Sequence, residues 1–480
     1  MKNNKLFIPS IASIVFFVLS LIFYGFYQLG DDTYIYLQYA KNLLANGELA
    51  FNAGQRTYGF TSPVWLGLIT AFNYFIKDLT QVPRVLSMLM SMASIFVWYY
   101  ILKRLFKIVP FWAIIPIMLE PNLLKHSNLG MEASLSFFLA SMMILQLMIL
   151  KEDDFYSYYR VSIPAGIFFL VRPESIILFV FLLIYLALVK RFSKKDLLLN
   201  IAVFAVIIIP WTVFAYNYFG SMLPSTFSAK GGTFTLGTRF FMHIIDSAKI
   251  FGGNYIALIL VLFVATIFIV KSKRKLPDDF FTFLLIPVIF VLFYALVINR
   301  EFVYARYYCI VFPFMLYCFY SMVIAIDSQK AQYILIIILS LQFLATAKYS
   351  SELSRKSFES AERVEDQIIE WVIANTSMSD KIVRGRIGKI AFQTDRTIID
   401  PQGIVNPDIL PFIRSNEVPK YFEQVRPDYL ISDTLNLSSV LGTKCKAENK
   451  IIYTFGNFKL ARDFNANAPP SHLAIYKLTW

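Results

Sequence analysis

Cysteine and histidine are nearly missing from this chain, with three of each in 480 residues. Cys309 and Cys318 share one apolar run, roughly 13 Å apart along a helix axis, which is too far to bridge. Cys445 stands alone, so neither a disulfide framework nor a zinc site is supported. His243 has no ligand-spaced partner and reads as a surface histidine. No Walker loop, Gly-x-Gly-x-x-Gly, Gly-x-Ser-x-Gly or His-Glu-x-x-His pattern occurs. Nucleotide hydrolysis and serine- or zinc-protease chemistry therefore lack support. Charge is the other shortage. Charged residues make up 16% and hydrophobic residues 57%, where a soluble chain carries about a quarter charged. So little polar surface cannot solvate the outside of a folded chain, and lipid must be the solvent for most of it.

The charge that is present lies where a membrane puts it. The net charge is +13, gathered in Lys103, Arg104 and Lys107, then Lys190, Arg191, Lys194 and Lys195, then Lys271, Lys273, Arg274 and Lys275. Each cluster follows an apolar run, as cytoplasmic loops do. No basic face with readable aromatic or polar neighbours stands out, so no nucleic-acid partner is expected. Residues 1–5 are short and basic, and residues 6–29 are long and apolar enough to span. No small-residue cleavage site follows, so this segment reads as an anchoring helix.

Residues 63–76 are too short to cross, and a crossing there would put the first basic cluster outside. Residues 30–83 therefore read as a first outer loop. Continued alternation gives about eleven transmembrane helices, the N-terminus inside, and a second outer loop over residues 220–250. After Lys348 the character changes. Val364, Ile368, Trp371 and Val372 recur at helical spacing, and short β-type runs follow at 381–383, 397–399, 429–431, 451–455 and 473–478. The expected architecture is an α-helical polytopic membrane domain, residues 1–347, followed by an extracytoplasmic soluble α/β domain, residues 348–480.

Ionisable groups at the edge of lipid are costly, so their placement is informative. Asp31 and Asp32 are adjacent acids at the mouth of the first helix, where the helix dipole disfavours them. They read either as a solvated helix end or as a catalytic or metal-binding pair. Lys125, His126 and Glu132 flank one outer turn. Arg172 and Glu174 interrupt a long apolar stretch, and Arg300, Glu301 and Arg306 cap a further turn beside Tyr304, Tyr307 and Tyr308. Arg172 and Glu174 fit an ion pair at a helix break or a cationic pocket that grips a phosphate. All of these groups fall on the outer side of the expected topology.

Several runs now become specific together. Asp31-Asp32-Thr33-Tyr34-Ile35, Tyr39-Ala40-Lys41-Asn42-Leu43, Phe51-Asn52-Ala53-Gly54-Gln55-Arg56 and Tyr58-Gly59-Phe60-Thr61-Ser62-Pro63-Val64-Trp65 resemble the first outer loop of the polytopic GT-C glycosyltransferases. Within that group the likeness is to the cell-wall (terminal) arabinofuranosyltransferases. Gly130-Met131-Glu132, Arg172-Pro173-Glu174, Leu223-Pro224, Ala229-Lys230, Arg306-Tyr307, and Asp400 with Gly403 resemble later elements of the same group, in the same order. Gln55, Thr57-Tyr58 and Ser225 depart from its pattern, so the identity of the sugar is not carried over.

The resemblance implies a bacterial plasma-membrane enzyme with its site on the extracytoplasmic face. It implies a polyprenyl-phosphate sugar as donor, a glycan or glycolipid as acceptor, and inversion at the anomeric carbon. Asp31 or Asp32 is the expected base, the other orienting the acceptor or holding a divalent cation. Lys230, Arg306 and Arg172 are the expected phosphate ligands. Glu132, Glu174, Arg56 and Tyr34 are expected to make further substrate contacts. The competing reading, a transporter or lipid flippase, calls for inverted repeats and ionisable groups near the midplane, and neither pattern is visible in the sequence.

Overall fold

Helices dominate the computed structural model, as lipid demands when every backbone polar group must be satisfied within its own segment. The structure describes the chain except residues 1–5, 26, 28, 107–108, 151–156, 190–191, 232–237, 273–275, 278, 299–303, 433–440, 442–443 and 455–471. Lys107, Lys190, Arg191, Lys273, Arg274, Lys275, Arg300 and Glu301 thus lie outside the described residues. Among the described residues six helices are long and apolar enough to cross a membrane: Phe7–Tyr24, Val82–Leu105, Lys194–Phe219, Thr238–Phe263, Phe280–Val297 and Gln329–Arg355. Shorter apolar helices run over Pro63–Phe72, Ala133–Ile149, Tyr159–Val171, Pro173–Leu188 and Phe312–Ala325. The chain is an integral membrane protein. Trp65, Trp98, Tyr255, Tyr308 and Tyr317 fill its interior, while Ile201, Val206, Ile209 and Val213 are exposed on one spanning helix. Such an outward apolar surface suits lipid and would be a liability in water.

The apolar run over residues 109–119 does not form one continuous helix. A 3-10 turn, Phe111–Ile114, leads to a single helical turn, Ile115–Met118, and then to the helix Pro121–Leu129. Pro110, Pro116 and Pro121 each remove a backbone donor. Glu120 caps the restart, its carboxylate accepting from the Asn122 and Leu123 amides and from the Tyr255 hydroxyl. Tyr255 is itself the non-helical residue at which the helix Thr238–Ser272 kinks. That helix begins inside the expected second loop, so residues 238–250 are helical.

The helix Gln329–Asn375 is continuous over 47 residues, and the expected boundary at 347/348 falls inside it. Beyond it lie five strands: β1 Lys381–Arg384, β2 Thr397–Ile399, β3 Tyr429–Ser432, β4 Lys446–Thr454 and β5 His472–Thr479. Their order is β2-β1-β3-β5-β4. β1 is parallel to β2 and β3, and β5 is antiparallel to β3 and β4. Val383, Ile399, Phe422, Leu430 and Tyr476 form their own core.

This C-terminal domain docks on the helix Asp31–Asn46 through the helix Gly388–Thr394. The Tyr34 and Phe392 rings lie 5.6 Å apart. Lys41 Nζ donates to Phe392 O at 3.0 Å and pairs with Asp395 at 2.5 Å. Asn52 bonds the edge residue Ile398 reciprocally, at 2.9 and 3.1 Å.

Candidate active site

Asp31 and Asp32 do not end the first helix, which stops at Tyr24; they open the next one, Asp31–Asn46. This reverses the expected electrostatics, because the N-terminal end of a helix dipole favours carboxylates. The two acids then diverge. Asp31 faces the C-terminal domain and accepts from the amides of Gly388 (3.2 Å) and Lys389 (3.0 Å). Asp32 Oδ2 meets Arg306 Nη2 at 2.6 Å.

Their titration diverges as well. Burial pushes the Asp31 carboxyl up, outweighing the nearby Arg386 guanidinium. Asp32 keeps 40% of its side chain accessible, yet protein crowds it enough for burial to push its carboxyl up too. There the Arg306 guanidinium and the Lys230 ammonium prevail and hold it below the ordinary carboxylate value. Asp32 is the member of the pair whose charged form the surroundings favour, and part of its side chain stays open to solvent.

Arg306 belongs to a cluster organised by one ring. The Tyr307 centroid lies 5.4 Å from the Arg306 guanidinium, 5.3 Å from that of Arg172 and 5.8 Å from Lys230 Nζ. Lys230 also donates to the Tyr307 hydroxyl at 3.2 Å. Three cations around one aromatic face and edge is a cation–π arrangement that tolerates their mutual proximity.

Local sequence explains each position. Arg172 precedes Pro173 and is extended (φ −145°, ψ 104°), as a residue before proline prefers. It therefore leaves the helix line and turns inward. Lys230 ends the short helix Ser225–Lys230, whose start is pinned where Ser225 bonds Tyr58 O and Ile404 O. Arg172 pairs with Glu132 at 2.9 Å and with Glu174 at 3.2 Å. Tyr294 donates to Glu174 at 3.2 Å. Glu132 is buried, and its Oε2 has no hydrogen-bond partner among the described residues.

Of the residues expected at the site, Asp32, Arg306, Lys230, Arg172, Glu132 and Glu174 thus form one connected group. Tyr34 is buried against Phe392, at the domain contact. Arg56 stands apart, 4.7 Å over the Tyr218 ring, on the rim of a groove of about 390 Å³ that also touches Tyr58, Phe219, Leu223, Phe227 and Leu410. His243 is buried, not a surface residue as expected. Among the described residues no three His, Cys, Asp or Glu side chains gather as a metal set. Asp31 and Asp32 are engaged in different directions, so they do not face one point as a ligand pair would.

Arg386, Gly388 and Lys389 were missed by reading the sequence. Their only local signal is three basic residues in the six after Val383, which looks like an ordinary solvated turn.

Residues 351–476 match a family described as a domain of unknown function (DUF8728). No curated protein matches the chain in sequence. Among solved structures, the apo oligosaccharyltransferase of Archaeoglobus fulgidus is similar with a TM-score of 0.60 and 13% identity, over 92% of this chain and 71% of that one. ArnT from Cupriavidus metallidurans, bound to undecaprenyl phosphate, is similar with a TM-score of 0.59 and 10% identity, over 98% and 97%. The mycobacterial arabinofuranosyltransferase AftD aligns with a TM-score of 0.46 and 12% identity, over 98% and 39%. The arabinofuranosyl group expected from the first loop is not singled out. The fold of this chain is GT-C-like.

Proposed function

We propose that this protein is a glycosyltransferase that moves a monosaccharide from a polyprenyl-phosphate donor to a hydroxyl of a cell-surface glycan or glycolipid. The carrying observation is Asp32, accessible and paired with Arg306, inside the cation cluster around Tyr307. In the reaction the acceptor oxygen attacks the anomeric carbon as its proton passes to the Asp32 carboxylate. The carbon–oxygen bond to the phosphate breaks, and its electron pair stays on the phosphate. General-base assistance requires a carboxylate within hydrogen-bond reach of the hydroxyl. The charge that develops on the leaving phosphate calls for preorganised cations, and Arg306 and Lys230 supply them beside the base. Arg172 stiffens the cluster through Glu132 and Glu174.

The undecaprenyl phosphate bound by ArnT, which shares the fold, supports a donor of that class. The first-loop motifs do not fix the sugar, so pentose and hexose donors are tested side by side. In this reading residues 1–347 are the catalytic membrane domain and residues 348–480 lie on the extracytoplasmic side of a bacterial plasma membrane.

The test is release of polyprenyl phosphate from labelled polyprenyl-phosphate sugars by the purified chain in nanodiscs. Release that depends on Asp32 and survives a chelator is expected. Absence of release from every donor in a pentose and hexose panel, with membrane extract supplied as acceptor, would sink the proposal.

A further inference from the structure

The segment Arg384–Lys389 is the part of the C-terminal domain that reaches the acidic pair, and its cations are not alike. Arg384 pairs with Glu365 at 2.6 Å, and Lys389 pairs with Glu362 at 2.6 Å and Asp366 at 2.7 Å. Both of these cations are buried. Arg386 lies between them with 40% of its side chain exposed, and its contacts to Glu362 and Glu365 are long, 3.5 and 3.4 Å. Each of those acids already holds a shorter partner, so Arg386 is the loosely committed cation of the segment.

Its location is not loose. Two residues later, Gly388 and Lys389 give their amides to Asp31. A Cβ on Gly388 would come within 2.0 Å of Asp31 O, so the segment lies directly against the start of the helix that carries Asp32. The field of Arg386 accordingly reaches both aspartates.

The direction from which each cation comes matters. Arg306, Lys230 and Arg172 all belong to the membrane domain, where a donor on a lipid tail presents its phosphate. Arg386 comes from the C-terminal domain and flanks the base from that domain. A planar guanidinium whose present contacts are long matches a carboxylate or phosphate bidentately. We propose that Arg386 is an acceptor-side anion receptor, so that the C-terminal domain selects an acceptor carrying a phosphate or carboxylate close to the hydroxyl that takes the sugar. The proposal rests on the glycosyl-transfer reading above and gives the domain of unknown function a part in it.

The experiment uses the full chain in nanodiscs loaded with undecaprenyl phosphate, which occupies the donor-side cations. Binding of three probes is compared: methyl glucoside 6-phosphate, methyl glucuronide and neutral methyl glucoside. At least one charged probe should bind about tenfold or more tighter than the neutral one, the range of a hydrogen bond to a charged group. Whichever charged probe is preferred identifies the anion. Arg386→Gln should abolish the preference and Arg386→Lys should keep part of it, with undecaprenyl phosphate binding unchanged in both, which also shows that the variants are folded.

Equal binding of the three probes by the wild-type protein overturns the inference. So does a preference that survives Arg386→Gln, or a loss of undecaprenyl phosphate binding as large as that of Arg306→Gln. Failure of the wild-type chain to bind undecaprenyl phosphate at all counts against the transfer reading, and this inference falls with it.

Discussion

Asp31 and Asp32 are neighbours in sequence with separate work. Asp32→Asn keeps shape and removes the negative charge, so it tests basicity. Turnover should fall about 10²–10⁴-fold, with donor binding retained. Asp31→Asn should cost less turnover and instead loosen the contact with the Gly388 and Lys389 amides, read as faster hydrogen exchange at those two positions.

The Asp32–Arg306 pair also sets a pH dependence. The folded-state value of Asp32 is lowered relative to about 3.9 for a free aspartate. The stabilisation it contributes is therefore present above about pH 4 and drains away as pH falls through the lower folded value. Arg306→Gln removes the larger of the two cationic influences, so Asp32 should titrate higher. The acid limb of the kcat/KM profile should move up in pH, and an unmoved limb would take Asp32 out of the base role.

Among elements, the join between the long helix and β1 is the most exposed to damage. Arg384 and Glu365 are 4% and 2% exposed, and removing one partner of such a buried pair costs about 3–5 kcal/mol. Glu365→Ala should lower the unfolding midpoint of the C-terminal domain by a corresponding amount, measured by thermal melting in detergent. The strands of that domain were legible in the sequence because short β-branched runs between turn residues have few other uses. The break before Asp31 was not. Half of residues 25–30 are apolar and only Gln28 is polar, so no charge or proline marks the gap between the cap of the first helix at Gly25 and that of the next at Gly30. The broken span after Lys107 was half-legible: its prolines are visible, but the capping partner Tyr255 is 135 residues away from Glu120. Arg386 was out of reach for the same reason. Nothing local marks a residue whose meaning comes from Asp31, more than 350 positions earlier.

For the whole molecule, six long apolar helices among the described residues establish the membrane class, and the orientation proposed for them follows the positive-inside rule. Single cysteines at Lys194 should label only from the cytoplasm, and cysteines at Gly54 and Asp428 only from outside. Labelling of Gly54 from the cytoplasm alone would invert the proposed topology and move the Asp32 cleft to the wrong face for an extracytoplasmic acceptor. The members of the cation cluster were legible at this scale, Arg172 and Arg306 because they interrupt or border apolar runs and Lys230 through the resemblance of Ala229-Lys230. Their convergence on Tyr307 needed the packing of three separate segments.

The unbroken helix Gln329–Asn375 works as a gauge. Its 47 residues extend about 70 Å at 1.5 Å per residue, more than twice the roughly 30 Å hydrocarbon thickness. A rod of that kind transmits angle as well as height. One residue inserted near Lys348 turns everything beyond it by about 100°, whereas four return the facing to within about 40° and lift it about 6 Å. The facing that lets the Gly388 and Lys389 amides meet Asp31 is thus tied to helix length, and a membrane of different thickness would meet an instrument already set to one scale.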